Sequence, residues 1–108
     1  MKTLHVCLLS EHLLANLIPV LQERPDAVLA LATQGMREIG LAARFEGLCV
    51  EHGVDCRVTP FEQAGWSAQL RSASAVKAIV KDDYPQWRIR LNLTGGTKTI
   101  ALSMVLGL

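Results

Sequence analysis

The sequence has almost no surplus charge: Lys and Arg total 11 against 10 Asp and Glu. No long-range positive field therefore exists to gather nucleic acid or anionic membrane, and an anionic ligand has to be held by a local site. Long hydrophobic runs are also missing. Stretches such as AVLALA at residues 27–32 fall far short of the ~20 residues that span a bilayer, which excludes a membrane-embedded helix. The opening MKTLHVCLLSEHLL is apolar in part, but its charges and histidines sit as in a strand and loop, and no small-residue cleavage site follows, which argues against secretion. Cysteine is scarce, and Cys7, Cys49 and Cys56 are odd in number, far apart and inside apolar segments. That pattern suits buried free thiols in a reducing cytoplasm rather than disulfides. No pair of His or Cys has the close spacing of a metal site, so no metal is expected.

What is present is a core-forming composition. At 108 residues with 50% apolar positions, the chain suffices for one domain and is too short for two. Short β-branched or Leu-rich runs alternate with longer amphipathic stretches, the pattern of repeated βα units around a parallel sheet. The expected fold is α/β: a Rossmann-like parallel sheet with helices on both faces, in three αβα layers. Strands are predicted at residues 3–9, 26–33, 54–58 and 87–93. The first two are nearly continuous apolar runs and should be central. In the fourth, Trp87, Ile89, Leu91 and Leu93 alternate with Arg88, Arg90 and Asn92, implying one wetter face.

Between the second and third strands, Leu41, Ala42, Phe45, Leu48 and Cys49 form one helical stripe opposite Arg37, Gly40, Arg44, Gly47 and Glu51, and Gly53 ends the helix. A further helix over 67–81 places Leu70, Ala73, Val76 and Val80 inward and stops at the turn of residues 82–85. The first helix is constrained by Pro19, which removes a donor and clashes with the preceding turn if it sits deep inside. Capping by Asn16 would put Pro19 in the first turn and leave residues 10–15 as a loop after the first strand. Loops at the carboxyl ends of parallel strands are where such sheets bind ligands. The chain closes on the apolar helical stretch IALSMVLGL, which needs cover, so residues 1–108 are expected to be one domain truncated on its C-terminal side.

The segment richest in chemistry is NLTGGTK, residues 92–98. Two glycines let the backbone turn sharply and approach a ligand, and free N–H groups at a helix start, two threonine hydroxyls and the Lys98 ammonium suit phosphate or other polar groups. A simpler reading remains open, in which Gly95-Gly96 makes a tight turn and Thr97 caps a helix. A Walker A loop is excluded, because Lys98-Thr99 follows Thr97 and both the spacing and the glycine before lysine are wrong. The dinucleotide fingerprint is excluded too, since SEHLLAN at residues 10–16 has no glycine.

NLTGGTKTIALSM closely resembles the Asn-x-Thr-Gly-Gly-Thr-Lys segment of CRISPR-associated Rossmann fold (CARF) domains, and LLSEHLLANLIPVL resembles the first-strand loop of those in which Ser-Glu-Gln-x-x-Pro-Asn follows the strand. Matched residue by residue, the resemblance assigns ligand contacts to Ser10, Glu11 and Asn16 in the first loop and to Asn92, Thr94, Gly95, Gly96, Thr97 and Lys98 in the second. His12 stands where the family usually has Gln, and Ala15 where Pro precedes Asn. Thr33 and Gln34 end the second strand on the ligand side and join the set.

The relatives implied are those joining a CARF domain to a restriction-type (PD-(D/E)xK) nuclease domain activated by cyclic tetraadenylate. That implies a cytoplasmic type III CRISPR sensor for antiviral defence, acting as a homodimer whose two sites form one pocket for a ring-shaped ligand. It implies no cofactor in this domain beyond the activating ring, with any divalent metal and any DNA or RNA belonging to a nuclease domain outside these residues. No nuclease carboxylate cluster can be picked out here. Two rivals stand beside it: a ring nuclease cleaving its own ligand with Lys98 and Ser10 or Thr97, and a generic nucleotide-binding regulator. Trp66 and Trp87 could stack on a base or pack as edge aromatics.

Overall fold

The computed structural model describes residues 2–62 and 64–92. Four parallel strands form one sheet in the order β3-β2-β1-β4, with β1 Thr3–Leu8, β2 Ala27–Ala32, β3 Asp55–Pro60 and β4 Arg88–Asn92. The two most apolar runs are the central strands, as expected, and all six residues of β2 are buried.

Alternation along the strands builds two cores. Leu4, Val6 and Leu8 of β1 lie in register with Ala27, Leu29 and Leu31 of β2. They pack on one face with Phe61 and with Ala73 and Val76 of α4 (Trp66–Asp83). The opposite face joins Cys7, Val28, Ala30 and Ala32 to Leu17 and Val20 of α1 (Leu13–Glu23), and to Ala42, Phe45 and Cys49 of α3 (Leu41–Glu51). Two cores on one sheet make the three-layer Rossmann-like α/β fold. Each fully buried Leu, Val or Phe contributes about 1.5–3 kcal/mol relative to exposure, so the central strands carry most of the adhesive energy.

The start of α1 corrects the expected Asn16 cap. His12 occupies the N-cap position and Pro19 lies inside the helix. Leu13, Leu17, Val20 and Leu21 all meet the same core, and that spacing of four, three and one rewards an earlier helix start. Pro19 forfeits a bond to the carbonyl of Ala15, and Ala15 is exposed, so water can replace the donor. The loop after β1 thereby shortens to residues 9–12.

The long helix after β2 is likewise divided. α2 (Gln34–Glu38) is a short turn of helix, and Gly40, with φ of 76°, separates it from α3. Gly53, with φ of 78°, ends α3 as the sequence suggests. Cys7, Cys49 and Cys56 are free thiols, the first two buried. Burial pushes Cys7 up to about 12. No helix among the described residues is long and apolar enough to cross a membrane.

Candidate functional site

Parallel strands deliver all their outgoing loops to one end of the sheet, and that end collects the described candidate residues. The ladder extends past β1 through Leu9, whose N–H donates to the Leu31 carbonyl at 2.9 Å. Ser10 then turns the chain. Its N–H donates to Asn16 Oδ1 at 2.9 Å and its hydroxyl lies 3.3 Å from the same oxygen. Asn16 Nδ2 donates to the Leu8 carbonyl at 3.2 Å, and the His12 N–H donates to Ser10 Oγ at 3.3 Å.

Asn16 is buried at 2% exposure, so its first role is to brace the turn from inside α1. Glu11 and His12 project the other way, each about three-quarters exposed, with Nε2 and Oε1 3.8 Å apart. Such an exposed pair is worth little in water, which leaves both side chains available to a ligand.

Asn92 closes β4 beside Cys7 of β1, three residues before Ser10. Thr94, Gly95, Gly96, Thr97 and Lys98 lie outside the described residues. On the other side of β1, Thr33 is buried at the N-cap position of α2 and accepts the Arg37 N–H at 3.1 Å. Gln34 is exposed and its Nε2 donates to Glu38 at 2.7 Å.

Two cavities flank this end. One of about 280 Å³ is lined by His5, Pro19, Glu23, Arg90, Leu91 and Asn92. There Glu23 bridges His5 Nδ1 at 3.2 Å and Arg90 Nη1 at 2.8 Å. Burial lowers the His5 pKa, more than the Glu23 carboxylate raises it, and Arg90 lowers it further. The histidine is buried at 2% exposure and hydrogen-bonded through Nδ1, while its buried Nε2 has no partner among the described residues. The other cavity, about 360 Å³, is lined by Gln34, Gly35, Arg37, Phe61, Glu62 and Ala64.

Sequence reasoning missed Arg37, Phe61 and Glu62. Arg37 reads as the solvent face of a helix, and nothing along the chain says that the exits of β2 and β3 meet. The two tryptophans part company. Trp87 lies at the amino end of β4, packed edge-on against Tyr84 at 5.0 Å with Lys2 Nζ 5.3 Å from its ring centre, away from the candidate site. Trp66 opens α4, at the carboxyl end of the strands where the candidate residues collect, and is 42% exposed. Among the described residues, no group of three or more His, Cys, Asp or Glu could hold a metal ion.

No family model matches the chain, and no curated protein matches it either. Among solved structures, the chain is similar to Can2 from Sulfobacillus thermosulfidooxidans in complex with cyclic tetra-adenylate. The TM-score is 0.75 at 28% identity, over 98% of this chain and 29% of that one. It is also similar to protein VC1899 from Vibrio cholerae, with TM-score 0.76 at 15% identity over 97% of this chain and 27% of that one; this second likeness concerns the fold alone. The chain thus spans less than a third of either protein. The likeness to Can2 supports a CARF-like fold here.

Proposed function

We propose that this chain is a cyclic oligoadenylate sensor domain, with cyclic tetraadenylate as its ligand. The observation that carries the reading is the likeness, at 28% identity over nearly the whole chain, to a protein solved with that ring. The geometry agrees with it. Ser10, Glu11 and His12 at the end of β1 and Asn92 at the end of β4 lie on neighbouring parallel strands, at the end where such sheets bind ligands. The NLTGGTK segment starts from that point with hydroxyls, glycines and a lysine suited to phosphate and ribose.

In this reading Ser10, Glu11, His12, Thr33, Gln34, Asn92, Thr94, Gly95, Gly96, Thr97 and Lys98 contact the ring, while Asn16 holds the first loop in place. Two copies of the chain pair about a two-fold axis, so that the loops are presented twice to a ligand with repeated units. Ring binding then favours one arrangement of the pair and switches a nuclease domain beyond residue 108, which requires the ring to bind the two arrangements unequally. The whole protein is accordingly a cytoplasmic nuclease of type III CRISPR defence.

Calorimetric titration of the full protein tests the reading. Cyclic tetraadenylate should bind tightly, at one ring per dimer, with little binding of ATP or NAD. Equal affinity for linear ATP, or one ring per monomer, overturns the shared-pocket sensor.

A further inference from the structure

β2 and β3 end side by side, with Ala32 beside Pro60, and the Phe61 N–H donates to the Ala32 carbonyl at 2.9 Å. From there the two chains part. One turns through Thr33 into α2, the other runs through Glu62 toward α4, and the 360 Å³ cavity opens between them. Phe61 is 1% exposed, so it gives the cavity a fixed apolar wall. The Glu62 N–H is tied to Ser72 Oγ at 2.9 Å, which anchors that wall to α4 and leaves the carboxylate to the opening.

The remaining wall is polar and electrically balanced. Arg37 is exposed, and among the described residues it forms no ion pair. Glu62 faces the same space with the opposite charge. Gln34 brings an amide that can both donate and accept, and its bond to Glu38 is an exposed one for which water competes. Gly35 contributes bare backbone, and a Cβ built there would meet nothing within 4 Å.

A phosphate in this cavity would gain Arg37 but meet the Glu62 carboxylate. A planar uncharged group with an amino donor and ring-nitrogen acceptors uses every wall. Glu62 accepts from the amino group, Gln34 matches a donor–acceptor edge, and Arg37 stacks on the face or donates to a ring nitrogen.

We infer that this cavity is a nucleobase subsite that takes one adenine of the ring, with Arg37, Glu62 and Gln34 as its specificity-determining residues. The inference rests on the ring-binding reading and extends it to a strand pair that the two recognised loops do not touch. Because the subsite lies one and two strands from the Ser10 turn, it would read a base while those loops hold the sugar-phosphate.

Gly35→Met supplies a direct test, since the backbone there is not in the left-handed region and the new side chain has open space to fill. In the full protein, Gly35→Met and Glu62→Ala should each weaken cyclic tetraadenylate binding at least tenfold while melting no lower than the parent. The inosine ring, in which a carbonyl replaces the amino group, should bind both the parent and Glu62→Ala equally poorly. A folded Gly35→Met that binds the adenylate ring like the parent overturns the subsite and leaves the ring sensor standing. If the parent itself binds no ring, the sensor reading falls and free adenosine decides the subsite. Movement of the Gly35 and Glu62 amide signals with millimolar adenosine, but not with inosine or phosphate, upholds it; silence overturns it.

Discussion

Asn16 Oδ1 accepts the Ser10 N–H at 2.9 Å while Asn16 Nδ2 donates to the Leu8 carbonyl at 3.2 Å. One buried amide thus ties both sides of the turn leaving β1 to the second turn of α1. Donor and acceptor ends are both required, which is why Asn rather than Asp fits. Asn16→Ala leaves a buried carbonyl and an amide N–H unpaired, at about 1–3 kcal/mol for each such group. We expect a loss of about 2–4 kcal/mol by urea denaturation on that scale. Asn16→Asp should lose more at pH 7 than in acid, because its ionised oxygen would face the Leu8 carbonyl. An Asn16→Ala protein as stable as the parent would show that the turn holds itself.

The sheet was legible because its strands obey simple rules. Residues 3–9 and 26–33 are nearly continuous apolar runs, as strands covered on both faces are. Gly53 and the 82–85 turn marked two helix ends for local steric reasons. Errors arose where tertiary packing overrode a local cost. Pro19 argues for a late helix start, yet Leu13 gains a core contact by an early one. Gly40 reads as one more polar-face position, and its φ of 76° depends on where α3 must dock. The site divides the same way. Ser10 and Gln34 follow from strand ends, whereas Arg37 and Glu62 come together only through the order β3-β2-β1-β4.

The two glycines of α2 and its exit make opposite predictions. Gly40 adopts the left-handed region with nothing within 4 Å of an added Cβ, so Gly40→Ala should cost only the backbone penalty, about 1–2 kcal/mol. Gly35 sits in helix with equally open space, and Gly35→Ala should stabilise by about 0.5–1 kcal/mol through lower unfolded-chain entropy. Thermal melts of the two variants should move in opposite directions. Shifts of the same sign would mean that Gly40 is not held in its left-handed conformation in solution.

His5 gives the fold a pH dependence of defined sign. Burial holds its pKa below 6.5 despite Glu23, with Arg90 acting in the same direction as burial. Below 6.5 the unfolded chain binds a proton that the folded chain resists, so stability rises with pH across that window and falls on acidification. Replacing His5 by Gln removes the titration. Urea midpoints measured from pH 8 to pH 5 should therefore fall more steeply for the parent than for His5→Gln. Parallel curves would show that His5 takes its proton as readily folded as unfolded.

Lys98 is the proposed contact with the largest expected effect, because it is the cationic member of NLTGGTK and the chain's net charge supplies no background attraction. As a compact point charge on a long stem, it should position a phosphate or ribose rather than grip it as a fork. Lys98→Ala should weaken cyclic tetraadenylate binding by about 1.5–3 kcal/mol, the range for hydrogen bonds to charged groups. Without ligand, the melting temperature of Lys98→Ala should hardly move. Unchanged affinity would remove Lys98 from the site. Unchanged affinity with loss of ring consumption would instead make Lys98 a catalytic group, and the ring-nuclease reading would then displace the pure sensor.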